Sequence, residues 1–166
     1  MTLTLPELVA RESSPYAAVP AALTMDSIAA ASSEGFRSVF ERLAVRGVEP
    51  VGPPFLRYLV IDMAGTLQVE FGVPTVALLE AGEDLRTGVL PAGTFGRMQY
   101  RGPYEHLYDV NAALIGWAKE RGVRWDVAEE PDGDHFGCRL EIYVTDPTEV
   151  PDPEDWVTEV AIRVAP

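Results

Sequence analysis

The 166-residue chain has one cysteine, Cys138, so it can close no internal disulfide and build no multi-thiolate metal site. Histidine is almost as scarce. His135 lies three residues before Cys138 among acidic neighbours, but a structural zinc site needs more sulfur or imidazole ligands, and no metal is expected. Basic charge is the third shortage: Lys119 is the only lysine, the arginines are scattered, and 13 basic against 26 acidic side chains leave a net charge of −13. Such a surface repels phosphate backbones, whereas nucleic-acid binders use a basic stripe to release counterions. Direct contact with nucleic acid is therefore not expected. No apolar run approaches the roughly 20 residues that span a bilayer. The opening Met1-Thr2-Leu3-Thr4-Leu5-Pro6-Glu7 has neither the basic nor the apolar region of a secretion signal. No membrane association is expected, and the cytoplasm is the expected compartment. There is no Gly-x-Ser-x-Gly elbow, P-loop or dinucleotide fingerprint.

What is present is globular in character, with 47% apolar and 23% charged residues. The length suffices for one sizeable core, so residues 1–166 read as a single domain. A strand is expected at about Pro15 to Leu23, with Thr24 or Asp26 as the N-cap of a helix reaching Arg46. Ser32 to Gly35 could break that helix. Beyond it, Phe36, Val39, Phe40 and Leu43 form one apolar face, and Gly47 is a C′ glycine. Strands follow at Phe55 to Asp62 and from Leu67, where Leu67, Val69, Phe71 and Val73 alternate with polar residues; the second could run past Pro74 through Val76 and Leu78. Glu80 to Gly88 reads as a linker. A strand at Thr94 to Tyr100 leads through Gly102-Pro103 into a helix from Tyr104 to Arg121, with Leu107, Val110, Leu114 and Trp117 as its stripe and Gly122 at its end. Glu129 to Gly137 reads as an acidic loop. Strands at Arg139 to Asp146 and Val157 to Val164 close the chain.

The order strand, helix, strand, strand thus occurs twice, in units of about 15–78 and 88–164. Arg46-Gly47-Val48 and Arg121-Gly122-Val123 end the two corresponding helices. The pattern predicts an α+β fold: duplicated strand–helix–strand–strand units forming one antiparallel sheet, with two main helices on one face and a central ligand cleft.

Several stretches resemble the GyrI-like, or AraC-type effector-binding, family. They are Pro91-Ala92-Gly93 followed by Arg101-Gly102-Pro103-Tyr104-Glu105-His106-Leu107, the closing Arg139 to Pro147 with Trp156-Val157-Thr158-Glu159-Val160-Ala161-Ile162, and, in the first half, Gly52-Pro53-Pro54-Phe55 with Tyr58 and Val69 to Pro74. The resemblance implies a duplicated fold around a pocket for small organic molecules, often cationic, amphipathic or aromatic. Many members are sensor halves of bacterial transcription activators. The roughly 15 residues before the first expected strand are too few for a DNA-binding domain, so the likeness is to stand-alone members. These include gyrase-interacting proteins, drug-binding proteins and hydrolases of cyclopropane-containing cytotoxins.

Glu159 is the leading site candidate, being a glutamate inside the apolar run Val157 to Val164, where strands disfavour it. A partly buried carboxylate requires a partner, which a ligand cation or a cross-strand arginine would supply. The resemblance places the family's ligand-contacting glutamate here. Tyr143, expected within a residue or two of Glu159 on the partner strand, could stack on a ligand or donate to it. Tyr104 at the helix entry is a rim candidate. Tyr58, Trp156, Phe40 and Trp117 are further candidate lining residues, together with Phe36, against the plainer reading of aromatics as core. No cofactor is expected; His106 is the sole helix-borne residue that could ligate a haem.

The sequence points first to a small-molecule binder or sensor. The runner-up is a hydrolase with Glu159 as general base and Tyr104 or Tyr143 as proton donor, and the third reading is a protein-interaction module, such as a gyrase-binding protein, working through its acidic surface.

Overall fold

Period-two alternation is clearest between Leu67 and Val73, and there Leu67, Val69, Phe71 and Val73 are all buried. Of the alternate residues Gln68 is exposed, but Glu70 and Gly72 are buried as well, so the strand is covered on both faces rather than half-buried. The computed structural model describes residues 1–62 and 64–166. In chain order the elements are β1 (Thr2–Leu3), β2 (Glu7–Arg11), β3 (Ser14–Leu23), α1 (Ile28–Val45), β4 (Phe55–Ile61), β5 (Leu67–Pro74), β6 (Arg86–Leu90), β7 (Gly93–Arg101), α2 (Leu107–Glu120), β8 (Val127–Glu130), β9 (Gly133–Phe136), β10 (Arg139–Tyr143) and β11 (Val157–Arg163). The order strand, helix, strand, strand runs through β3-α1-β4-β5 and again through β7-α2-β10-β11, the second time with the β8–β9 hairpin between helix and strand.

The fold is α+β, and its strands form a single antiparallel sheet with the main order β1-β7-β11-β10-β4-β5-β3-β6. The two units meet where β4 pairs with β10, Leu56 opposite Glu141 and Phe55 opposite Ile142. Both helices cover the same face. Val39 and Leu43 of α1 pack with Ala17 and Val73, while Val110 and Leu114 of α2 pack with Met98, Val160 and Ile162. On the reverse face Tyr16 and Ala18 of β3 share a core with Phe95 of β7 and Ala161 of β11. These strands are far apart in the sheet order, so the sheet curls around this second core.

α1 does not break at Ser32 to Gly35. The Ser32 hydroxyl donates back to the Ile28 carbonyl at 2.7 Å, and Gly35 is where the Phe71 ring crosses the helix, on space a Cβ would fill. Both helices end on a glycine in the left-handed region, Gly47 at φ 68° and Gly122 at φ 67°, a conformation that costs glycine least.

Four expectations need correction. Glu80 to Gly88 is not wholly a linker, because Arg86 to Gly88 open β6 on the edge of β3. Glu129 to Gly137 is not a loop: it lies largely in the β8–β9 hairpin, whose β9 pairs with the end of β4. The first dozen residues form β1 and β2 along β7. β5 stops at Pro74, leaving Val76 and Leu78 outside it and exposed. The unforeseen strands are short, two to five residues each, too short for a periodic side-chain pattern to mark them. Among the described residues no helix is long and apolar enough to cross a membrane.

Candidate functional site

Successive side chains of β10 point to opposite faces, so Arg139, Glu141 and Tyr143 project toward the helices while Leu140 and Ile142 enter the reverse core. Glu141 lies at the seam between the two units and is only 6% exposed. Its Oε1 accepts the Tyr58 hydroxyl at 3.0 Å and the Asn111 side-chain amide at 3.1 Å, and its Oε2 accepts the Tyr143 hydroxyl at 2.9 Å. Asn111 is fixed on α2 by donating also to the Leu107 carbonyl at 2.9 Å. The carboxylate thus draws on β4, β10 and α2 together. Burial pushes its pKa up, opposed by the hydrogen bonds from Tyr143 and Tyr58, the charge of Arg139 and the Asn111 amide. Burial, reinforced by the Glu141 charge, holds the Tyr58 and Tyr143 hydroxyls well above the ordinary tyrosine value.

A column of rings stands beside this carboxylate. Phe71 meets Phe36 edge-on at 5.1 Å, Phe36 meets Tyr143 at 5.4 Å, Tyr143 meets Tyr104 at 5.4 Å, and Tyr104 lies tilted against Trp156 at 4.6 Å. Such contacts are worth about 0.5–1.5 kcal/mol each beyond the area they bury. The column runs from β5 and α1 in the first unit to the entry of α2 and of β11 in the second. Trp156 and Tyr104, both half-buried, form its outer end; the Trp156 indole donates to the Val150 carbonyl at 2.8 Å, tying down the preceding loop. Where the sequence implies a central cleft, the space between the units is packed with these rings.

Tyr143, Tyr104, Trp156 and Tyr58 are therefore brought together, and Glu159 is not among them. Glu159 opposes Ile142, so it projects from the reverse face. There it forms ion pairs with Arg11 and, at 3.0 Å, with Arg97, which also holds Glu7 at 2.6 Å. Phe40 lies outside the column on α1, 40% exposed. Trp117 packs on the α2 core beneath the Arg121 guanidinium, 5.0 Å from its ring centroid. His106 sits edge-on to the Tyr100 ring, and His135 bonds Asp132 at 2.7 Å. Cys138 is buried in the reverse core, where burial pushes its thiol up to about 11. Among the described residues no three metal-ligating side chains are gathered.

Sequence reasoning missed Glu141, Asn111 and Arg139. The signal for Glu141 is the one that singles out Glu159, a glutamate inside an apolar strand, and Glu70 carries it as well. All three are buried. Glu70 shares the reverse face, accepting from Tyr16 at 2.8 Å and paired with Arg86 at 3.2 Å and Arg57 at 3.9 Å. Glu70 and Glu159 are thus neutralised by arginines. Glu141 alone of the three faces the helices, held by uncharged donors.

Aromatic rings beside a few placed polar groups, between two like α+β units, are the kind of lining that small-molecule sites have. Over residues 31–165 the sequence matches the family described as the GyrI-like small molecule binding domain, and the chain belongs to that family. Solved structures show the same fold. EcmrR in a DNA complex within EcmrR-RPo superposes with a TM-score of 0.77 at 15% identity over 96% of this chain. This chain spans only 57% of that EcmrR chain. SAV2435 bound to tetraphenylphosphonium gives a TM-score of 0.61 at 8% identity, covering 98% of this chain and 94% of its own. A hydrolase from Listeria innocua gives 0.62 at 14% identity, covering 96% and 91%. No curated protein matches this sequence.

Proposed function

We propose that the protein binds a small aromatic or amphipathic molecule at the seam between its units, with Glu141 as the polar anchor and Tyr143, Tyr104, Trp156 and Tyr58 as its walls. One observation carries this reading: of the three buried strand glutamates, Glu141 is the one that faces the helices and has no ion pair among the described residues. A carboxylate has about four acceptor positions, and three donors occupy Glu141, so one remains for a ligand. Entry requires the outer rings to move. Tyr104 and Trp156 are the members of the column with partial exposure that precede a helix and a strand rather than lying within them. Glu159, by contrast, serves the fold through Arg11 and Arg97. That SAV2435 has been solved with tetraphenylphosphonium bound supports a seam that accepts bulky aromatic compounds.

A hydrolytic reading rests on a separate observation, the upward shift of the Glu141 carboxyl beside two tyrosine hydroxyls. That arrangement supports a general base with adjacent hydrogen-bond donors, with Glu141 rather than Glu159 as the base. Thermal-shift titration of wild type and Glu141→Gln against a panel of aromatic compounds tests binding, and mass spectrometry of the hits tests turnover. A ligand at 100 times its Kd adds about 2.7 kcal/mol of stability. Stabilisation of wild type that the variant loses supports the site, and an equal response in the two excludes Glu141 as its anchor.

A further inference from the structure

The Arg139 side chain, two residues before Glu141 and on the same face of β10, lies about 7 Å further along the strand. Its guanidinium rests over the Phe136 ring at 4.9 Å and the Tyr58 ring at 5.6 Å from the centroids. One terminal nitrogen donates to the Asn111 carbonyl oxygen at 3.3 Å, and the same Asn111 amide donates to Glu141. Arg139, Asn111 and Glu141 are therefore one chain, cation and carboxylate linked through a neutral amide rather than in direct contact. The Nε of Arg139 is buried and has no hydrogen-bond partner among the described residues. Leaving such a donor unpaired is unfavourable, and an acceptor that reached it would be favoured.

Resting on the Glu141 reading above, we infer that Arg139 sets the charge class of the ligand: an uncharged aromatic molecule carrying one hydrogen-bond donor and one acceptor, as in a lactam, in preference to a permanent cation. The reason is electrostatic balance. Glu141 and Arg139 sum to zero, so a ligand that brings a full positive charge meets the two together, a buried carboxylate and a half-buried guanidinium that water screens only in part. A neutral donor fills the remaining acceptor position of Glu141 with less of that repulsion. The ligand's acceptor then answers the Arg139 Nε. A lactam edge presents both groups side by side. This narrows the expectation, drawn from the family resemblance, that ligands are often cationic.

The test uses matched pairs that differ in charge and little in shape: 2-quinolone with N-methylquinolinium, and phenanthridinone with N-methylphenanthridinium. Each is titrated by calorimetry into wild type, Arg139→Met and Glu141→Gln. Methionine retains an apolar, flexible chain of similar reach without the charge. The expected result is that wild type binds the neutral member at least tenfold more tightly, and that Arg139→Met shifts the preference at least tenfold toward the cation. Preference of wild type for the cation, or a preference unchanged in Arg139→Met, overturns the inference while leaving the Glu141 site standing. If Glu141→Gln binds every compound as wild type does, or none of the compounds binds any of the three proteins, the inference falls together with the site.

Discussion

Tyr143 and Glu159 sit on paired strands one residue out of register, yet their side chains leave the sheet in opposite directions. Tyr143 opposes Thr158 and Glu159 opposes Ile142. That single step places Tyr143 over Glu141 in the ring column and Glu159 among arginines on the far side. The proposed site therefore predicts that the two glutamates answer substitution differently, Glu141 through ligand binding and Glu159 through stability.

Glu159→Ala is expected to destabilise the protein by about 2 kcal/mol. Breaking a fully buried pair typically costs about 3–5 kcal/mol. Here Arg11 and Arg97 retain 27% and 34% side-chain exposure, so water recovers part of the loss. Urea denaturation measures the change, and titration with any seam ligand should give an unchanged Kd. A ligand response lost along with Glu159 would return that residue to the site.

Acidification should favour wild type relative to Glu141→Gln. Burial raises the Glu141 carboxyl in the folded protein, so the folded state holds that proton more tightly than the unfolded chain, whose glutamate titrates near 4.3. The stability from this group is fully present below about 4.3 and is lost as pH rises through the higher folded value. Urea melts of both proteins between pH 7.5 and 4.5 isolate it, because the other carboxylates cancel in the difference. A gap that moved against wild type on acidification would mean the carboxyl is held low.

Gly35→Ala should cost about 1–3 kcal/mol, the usual range for overpacking a well-packed site. The new methyl would meet the Phe71 ring, the inner end of the column. Thermal unfolding reads the loss, and near-ultraviolet circular dichroism should show the aromatic packing disturbed. Gly116→Ala, on α2 with open space at its Cβ, is the matched control and should be neutral or slightly stabilising.

Cys138 should resist thiol reagents in the native state. Its thiol is buried and held up at about 11, so almost no thiolate is present at neutral pH. Labelling should follow global unfolding and speed up with urea along the denaturation curve. Fast native labelling would show that the reverse core opens locally.

Much of the fold can be read in the sequence because it depends on local periodicity. The stripes at Val39 and Leu43 and at Leu107, Val110 and Leu114 mark the helix faces that are buried, Gly47 and Gly122 mark where the helices stop, and alternation in Leu67 to Val73 marks a strand. The acidic charge and the lone cysteine likewise belong to the chain before it folds. The site is a different matter. Alternation divides each strand into two faces without saying which one the helices cover, so Glu70, Glu141 and Glu159 are equivalent on paper. Register and helix placement separate them, giving Glu70 and Glu159 arginine partners on the reverse face and Glu141 two tyrosines and an asparagine at the seam. Asn111 and Arg139, residues 28 positions apart in the chain, acquire their roles only when α2 is laid across β10, a contact no local pattern encodes.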